Sequence, residues 1–276
     1  MTTNAEHRGS WTSEDLRRQL AGNCRVRAGD VLIVHSSMRS LGWVEDGPEG
    51  VVWALQSAVG EAGTLLMPVF TAPAPNGLFR LDASPSRTGL VTEIFRTTPG
   101  VLRSRHPTHS VAAWGRRAEE FVEGHDRTSG LGVGSPFHKA ARAGADVLMI
   151  GCQITSCSLI HAAEATVRVP YLGKVCYKGY DRVLTLVDAS GRRQRVEPRD
   201  VPTDSAGFTI VADEMDRRGL LTRPRLGSAD CLKFSALKCL DVAVELLRND
   251  PAALLCRNPN CSVCPRARRI IEEETS

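Results

Sequence analysis

The strongest chemical constellation in this 276-residue chain is Gly151-Cys152-Gln153-Ile154-Thr155-Ser156-Cys157-Ser158-Leu159-Ile160-His161-Ala162-Ala163-Glu164. It follows an apolar strand signal, contains no proline, and is expected to enter a helix near Ser158. His161 and Glu164 are then three residues apart on one helix face, so the carboxylate can sit beside the imidazole. Such a pair suits general-base chemistry: the carboxylate orients the ring and stabilises the imidazolium once a proton arrives. Ser158 lies one turn earlier, where its hydroxyl or the N–H groups of the helix start could donate to a developing oxyanion. The same spacing also occurs in plain structural hydrogen bonds, so taken alone it leaves both readings open.

Three further segments carry polar groups that a ligand could use. In Val34-His35-Ser36-Ser37, small hydroxyl residues follow a strand, as at the ligand-binding edge of a parallel sheet, although turn and cap serines look the same. Arg103-Ser104-Arg105-His106-Pro107-Thr108-His109-Ser110 is dense in donors that could grip phosphate, as is many an exposed loop. Gly132-Val133-Gly134-Ser135-Pro136 could turn backbone N–H groups toward an anion. It lacks the Lys-Ser/Thr ending of a P-loop, and no G-x-G-x-x-G follows a strand, which disfavours nucleotide hydrolysis and dinucleotide binding. A zinc hydrolase using His35, His106, His109 or His161 is disfavoured because H-E-x-x-H and any dense Asp/His cluster are missing.

Nine cysteines do not make a small disulfide scaffold in a chain this long. Cys24, Cys152, Cys157, Cys176, Cys231 and Cys239 lie singly in mostly apolar stretches and read as buried reduced thiols. Cys256, Cys261 and Cys264 have a spacing that metal ligands use. A fourth ligand would have to come from afar, such as Cys231 or Cys239; a reduced or partly oxidised tail is the competing reading.

The elements that must position these groups alternate. Ser13 starts a helix with Leu16 and Leu20 inward, and Val31-Leu32-Ile33-Val34 reads as a buried strand. Asp46-Gly47-Pro48 opens a second helix, with Pro in its first turn. Residues 63–69 read as a strand, 71–88 as a long loop, 89–96 as a short helix, and Ser110 to Trp114 as a third strand. Helices at about 115–123 and 137–143 precede Asp146 to Gly151, the clearest buried strand. This predicts an α/β fold with a central, mostly parallel sheet flanked by helices. After about residue 175 the texture changes to a smaller antiparallel insertion or lobe, with a hairpin over 183–187 and 192–196. Phe208 to Arg218 and Cys231 to Arg248 read as the last helices. The expected organisation is a single domain, core about 11–248, with a Cys/Arg-rich extension over 249–276.

Composition narrows the classes. Hydrophobic residues make up 42% and charged residues 24%, which is globular rather than disordered. The net charge of +4 is too mild and too evenly spread for a dedicated nucleic-acid binder, and aromatics are too few for a base-stacking platform. No apolar run reaches the roughly 18–20 residues of a membrane span, and residues 1–18 lack the apolar region of a secretory signal, so a cytoplasmic protein is expected.

In order along the chain, the stretches Val34 to Gly42, Gly63 to Pro68, Phe95-Arg96 through Pro99 to Ser104, His106 to Ser110, Leu131-Gly132 to Ser135-Pro136 and Ser158 to Glu164 resemble the aminoglycoside 3-N-acetyltransferase family. The likeness runs from about 31 to 170 and more loosely to 248. It implies acetyl transfer from acetyl-CoA, as co-substrate, to an amine, directly and without a metal in catalysis. His161 would be the general base, Glu164 its orienting carboxylate and Ser158 the neighbouring hydroxyl. Acetyl-CoA would run along His35, Ser36, Ser37, Met38, Arg103, Ser104, His109, Ser110, Ser135 and Pro136, with Arg103, Arg105 or Lys139 as phosphate partners. The resemblance points to the 3-amino group of 2-deoxystreptamine as acceptor, which a polycation site would hold with carboxylates. The candidates are Glu45, Asp46, Glu49, Asp82, Glu93, Asp204 and Asp213, of which Asp82, Glu93 and Asp204 are taken as substrate-binding. The chain departs from the family's pattern at Gln153-Ile154-Thr155 and over Cys157-Ser158-Leu159-Ile160, where Ser158 keeps the hydroxyl but Cys157 and Leu159 replace an asparagine and a serine. Acetylation of a natural-product intermediate or another small amine, or a non-catalytic CoA-binding role, are the alternatives. A homodimer is compatible with the resemblance; membrane and nucleic-acid partners are not expected. Glu164→Gln is expected to cost less than loss of His161, because it leaves the base in place.

Overall fold

The computed structural model describes residues 9–275. The first half runs β1 (Ser10–Trp11), α1 (Ser13–Gly22), β2 (Val31–Ser36), β3 (Trp43–Val44), α2 (Gly47–Val59), β4 (Thr64–Pro68), β5 (Leu78–Arg80) and α3 (Leu90–Thr97). It continues through β6 (Leu102–Arg103), β7 (Val111–Gly115), α4 (Ala118–Val122), α5 (Pro136–Arg142) and β8 (Asp146–Ile150) to α6 (His161–Val167). The remainder is β9 (Leu184–Val187), β10 (Arg193–Val196), α7 (Thr209–Arg217), β11 (Arg225–Leu226), β12 (Ala229–Ser235), α8 (Ala236–Asn249) and α9 (Cys264–Thr275).

Seven strands form the main sheet in the order β11-β12-β8-β2-β4-β7-β6. The continuous apolar runs of its inner strands are explained by burial on both faces. Along β2, Leu32 and Val34 join Leu65, Met67, Leu148 and Ile150 in a cluster with α1, α2 and α3. Ile33 points the other way, joining Leu66, Val147 and Met149 in the cluster with α5, α6 and α8. The period of two in a strand thus divides one apolar run between two cores. A second sheet of three strands, β10-β9-β5, closes over Phe79, Leu186 and Val196.

The α/β layering follows the sequence, but four features differ. The sheet is mixed: β8, β2 and β4 are parallel, whereas β12, β11, β7 and β6 are added antiparallel. Apolar runs read alike in either direction, so only the connections settle strand polarity. Residues 231–235, expected as helix, belong to β12; the helix begins only after Ser235, whose hydroxyl accepts from the Lys238 N–H as its cap. The expected loop over 71–88 contains β5, which pairs parallel with β9, so the β9–β10 hairpin draws a strand from far upstream. The C-terminal segment adds α9, and Leu254, Leu255, Val263 and Ala267 pack into the same core as α6 and α8.

Candidate active site

The three parallel strands end together, and a cleft of about 480 Å³ lies at their carboxyl ends. His35 and Ser36 come from the end of β2, Pro68 and Phe70 from β4 and just beyond, and Cys152, Thr155 and Ser156 from the loop after β8. Ser158, His161, His109, Tyr177, Tyr180, Thr203 and Ser205 complete its working surface. Because β2 sends its crossover to β4 on one side and meets β8 on the other, the cleft sits where strand order reverses, the usual ligand edge of such sheets.

Ser158 to Ile160 form a single 3-10 turn, and the α-helix proper starts at His161. Residues 161–165 are all buried, and the small Ala162, Ala163 and Ala165 let α6 sit closely against α8. Glu164, 1% exposed, lies in the first turn of α6, where the helix dipole favours its charge. His161 Nδ1 is 2.6 Å from Glu164 Oε2. The other carboxylate oxygen, Oε1, accepts from the Tyr171 hydroxyl at 3.0 Å and from the Thr203 hydroxyl at 2.8 Å. With three donors converging on it, Glu164 is held as an acceptor, which fixes Nδ1 as the protonated nitrogen of His161 and leaves the Nε2 lone pair free of this relay. The Phe208 ring meets the imidazole edge-on, with centroids 4.8 Å apart, and sets its plane.

Across the cleft, His35 Nε2 and Ser36 Oγ are buried with no hydrogen-bond partner among the described residues. Unpaired buried polar atoms are costly, and at the wall of a cleft they are natural contacts for a ligand. Burial pushes the His35 imidazole down to about 4, so it is neutral near pH 7. His109 is held well below the usual histidine range by burial first, then by His106 and His161. Behind it, His106 accepts the His109 N–H at Nδ1, 3.0 Å away. His125 is fixed as a neutral ring between Ser104 Oγ, at 2.7 Å, and the Gly130 carbonyl, at 2.9 Å.

The sequence candidates therefore divide. His161, Ser158, His35, Ser36 and His109 come together on the cleft, with Glu164 directly behind. Ser37 and Met38 do not line it: the Ser37 hydroxyl accepts from Ser40, and Met38 packs into the core. Arg103 points inward, donating to Ser110 Oγ and to the carbonyls of Val69, Leu81 and Ser84, so its donors already have partners. Ser110 donates to the Val69 carbonyl, and Ser104 accepts the Val111 N–H while bonding His125; both hydroxyls are engaged within the fold. Ser135 is the N-cap of α5, accepting from the His138 N–H, and Pro136 is that helix's first residue. Lys139 donates to the carbonyls of Glu120 and Glu123, and Arg105 reaches Gln194, Asp188 and Asp126. Glu93 pairs with Arg96 and accepts the Ser86 N–H, Asp82 lines a separate depression with Arg96 and Arg105, and Asp204 is turned toward Cys261 and Cys264. Among the described residues, no Asp or Glu lines the cleft.

Sequence reasoning missed Tyr171 and Thr203. Tyr171 is seven residues from Glu164, but α6 ends at Val167 with Arg168 in the left-handed region, so helical spacing does not connect them. Thr203 is 39 residues away on an irregular segment with no periodic signal.

A profile of the family described as aminoglycoside 3-N-acetyltransferase matches residues 33–248. An aminoglycoside N(3)-acetyltransferase III of Pseudomonas aeruginosa is 30% identical over 247 residues, covering 81% of this chain and 89% of that protein. The crystal structure of aminoglycoside acetyltransferase AAC(3)-IVa, a histidine-to-alanine mutant in complex with a gentamicin, aligns with a TM-score of 0.83 at 29% identity, over 95% of this chain and 98% of that one. The binary structure of AAC-IIIb with CoASH aligns with a TM-score of 0.71 at 25% identity, over 87% and 97% of the two chains. A profile match across most of the chain, joined to this relative and to these shared folds, shows that the chain belongs to the aminoglycoside 3-N-acetyltransferase family.

Proposed function

We propose that the protein transfers the acetyl group of acetyl-CoA directly to an aminoglycoside, at the 3-amino group of 2-deoxystreptamine, with His161 as general base. The observation that carries this reading is the buried relay from Tyr171 and Thr203 through Glu164 to His161, opening on the cleft. An amine attacks a thioester only through its nitrogen lone pair. His161 Nε2 accepts the proton lost as the N–C bond forms; Glu164 stabilises the resulting imidazolium, and the C–S bond breaks to release the CoA thiolate. The imidazolium returns that proton to the thiolate, giving amide and CoASH and restoring the base. Ser158, on the same cleft one turn before His161, is the side-chain donor for the oxyanion of the tetrahedral intermediate. His35 Nε2 and Ser36 Oγ, unpaired among the described residues, are the polar contacts for the acetyl-pantetheine arm. In this reading one acetyltransferase domain, core about 11–248 with the segment 249–276 attached, works where acetyl-CoA is made, in the cytoplasm. The β5–β9–β10 sheet forms a smaller lobe, and a homodimer is compatible with it.

The lack of Asp and Glu among the described residues lining the cleft favours a second acceptor, a less cationic amine such as a natural-product intermediate. Purified protein with acetyl-CoA and a panel of aminoglycosides, neutral amines and zwitterionic amines, followed by thiol release and product mass, separates the two. Acetylation of a deoxystreptamine drug at N3 supports the first reading, and turnover confined to other amines replaces it with the second. His161→Ala is expected to lower turnover by roughly 10²–10⁴-fold while the acetyl-CoA-induced thermal shift survives. Unchanged turnover in that variant removes His161 from the mechanism.

A further inference from the structure

Outside the cleft, one cluster of soft, ionisable atoms has no part in the reaction. The side chains of Asp204, Cys256, Cys261 and Cys264 bring one carboxylate oxygen and three sulfurs within 4.8 Å of one another. We propose that these four residues form a closed, structural zinc site that fastens the C-terminal segment to the loop carrying Thr203 and Ser205.

The distances suit the ion. With Zn–S of about 2.3 Å, Zn–O of about 2.0 Å and tetrahedral angles, neighbouring ligand atoms are separated by roughly 3.5–3.8 Å. Asp204 Oδ2 lies 3.4 Å from Cys261 Sγ and 3.8 Å from Cys264 Sγ. The surroundings also suit thiolates. The Cys264 and Val263 N–H groups point at Cys261 Sγ, at 3.4 and 3.5 Å, and the Cys256 N–H points at Cys264 Sγ, at 3.3 Å. Backbone N–H donors around ligand sulfurs are the outer shell that fixes and tunes a thiolate site. Cys264 also opens α9, where the helix dipole favours a negative sulfur. Arg268, one turn into that helix, donates to the Leu255 and Cys256 carbonyls and braces the loop between the first and second cysteines. Four protein ligands leave no open position, so the site is structural rather than hydrolytic. The distant partners expected from sequence are excluded by their positions: Cys231 packs in the core on the other face of the sheet, and Cys239 contacts Cys157.

Three of the ligands lie beyond residue 248, past the part matched to the family profile. The site reaches the cleft through the chain itself. Thr203, next to Asp204, lines the cleft and donates to Glu164.

The test is metal content, which does not depend on whether the acetyltransferase reading is right. The full chain is expressed with zinc in the medium and purified under reducing conditions without chelator. Native mass spectrometry and elemental analysis are expected to find about one zinc per chain, released by a thiol-modifying reagent. Cys261→Ser and Cys264→Ser variants are expected to lose it, and Cys231→Ser to keep it. Should the serine variants fold poorly, the unmodified protein grown with cobalt in place of zinc decides: sulfur-to-cobalt charge transfer and intense tetrahedral ligand-field bands are the expected spectrum. A folded chain with less than a tenth of a metal equivalent under these conditions overturns the proposal. So does zinc retained in a folded double serine variant, an octahedral cobalt spectrum, or a Cys256–Cys264 segment closed by a disulfide instead.

Discussion

Replacing Glu164 by glutamine tests the relay more sharply than removing His161. The carboxylate accepts from Nδ1 of His161 on one oxygen and from two buried hydroxyls, of Tyr171 and Thr203, on the other. A glutamine amide must present its NH₂ to one side. If the NH₂ faces the hydroxyls, their O–H groups lose the acceptor they have here, and each buried donor left without one costs about 1–3 kcal/mol. If instead the NH₂ faces His161, the imidazole need only move its proton from Nδ1 to Nε2, which costs about 1 kcal/mol or less against the 2–6 kcal/mol of the first arrangement. The second arrangement wins, and it places a proton on the nitrogen that must accept one. The wrong tautomer and the lost negative charge together predict a fall in kcat of about 10³–10⁴-fold, close to that of deleting the base. From the sequence alone the substitution looked milder; the two hydroxyls make it severe. Steady-state thiol release from acetyl-CoA gives kcat, and imidazole ¹⁵N shifts of His161 report which nitrogen carries the proton. A Glu164→Gln enzyme within tenfold of the parent, or one whose Nδ1 stays protonated, refutes the argument.

Arg103→Met is expected to lower stability by about 2 kcal/mol by stranding the Leu81 and Ser84 carbonyls (Val69 keeps the Ser110 hydroxyl), while KM for acetyl-CoA changes little; a large KM effect in a normally stable variant restores a phosphate-binding role. Gly115 has φ of 107°, and a Cβ there would stand 2.2 Å from the Gly63 carbonyl oxygen, so Gly115→Ala is expected to lose more than about 2 kcal/mol in urea unfolding; an unchanged midpoint contradicts the β4–β7 register. His35 and His106 are lowered by burial from 6.5 to about 4, so the unfolded chain binds their protons first as pH falls. Their contribution is intact above about pH 6.5 and is progressively lost toward pH 4, about 2 kcal/mol each by pH 5. Unfolding free energies that stay level between about pH 7 and 5 contradict their neutral burial.

The sequence by itself determined the layered α/β class and the positions of the inner strands, because a strand buried on both faces must be apolar throughout. It also determined the His161–Glu164 pair, since three residues along a helix is a local distance that chain geometry enforces. Ser158 followed for the same reason, and His35 and Ser36 because they end the central strand. Local pattern carries neither strand polarity nor the partners of side chains that meet across the fold. The antiparallel edges, the strand at 229–235 and the pairing of β5 with β9 depend on which backbones meet, and only the connections decide that. Tyr171 and Thr203 reach Glu164 through a chain reversal and an irregular loop, and Asp204 reaches three cysteines more than fifty residues on. Arg103 and Ser110 looked like free donors because a sequence shows donors without their acceptors. Their hydrogen bonds to carbonyls of neighbouring segments exist only once those segments are folded together, so whether a polar residue serves a ligand or the fold was decided by tertiary structure.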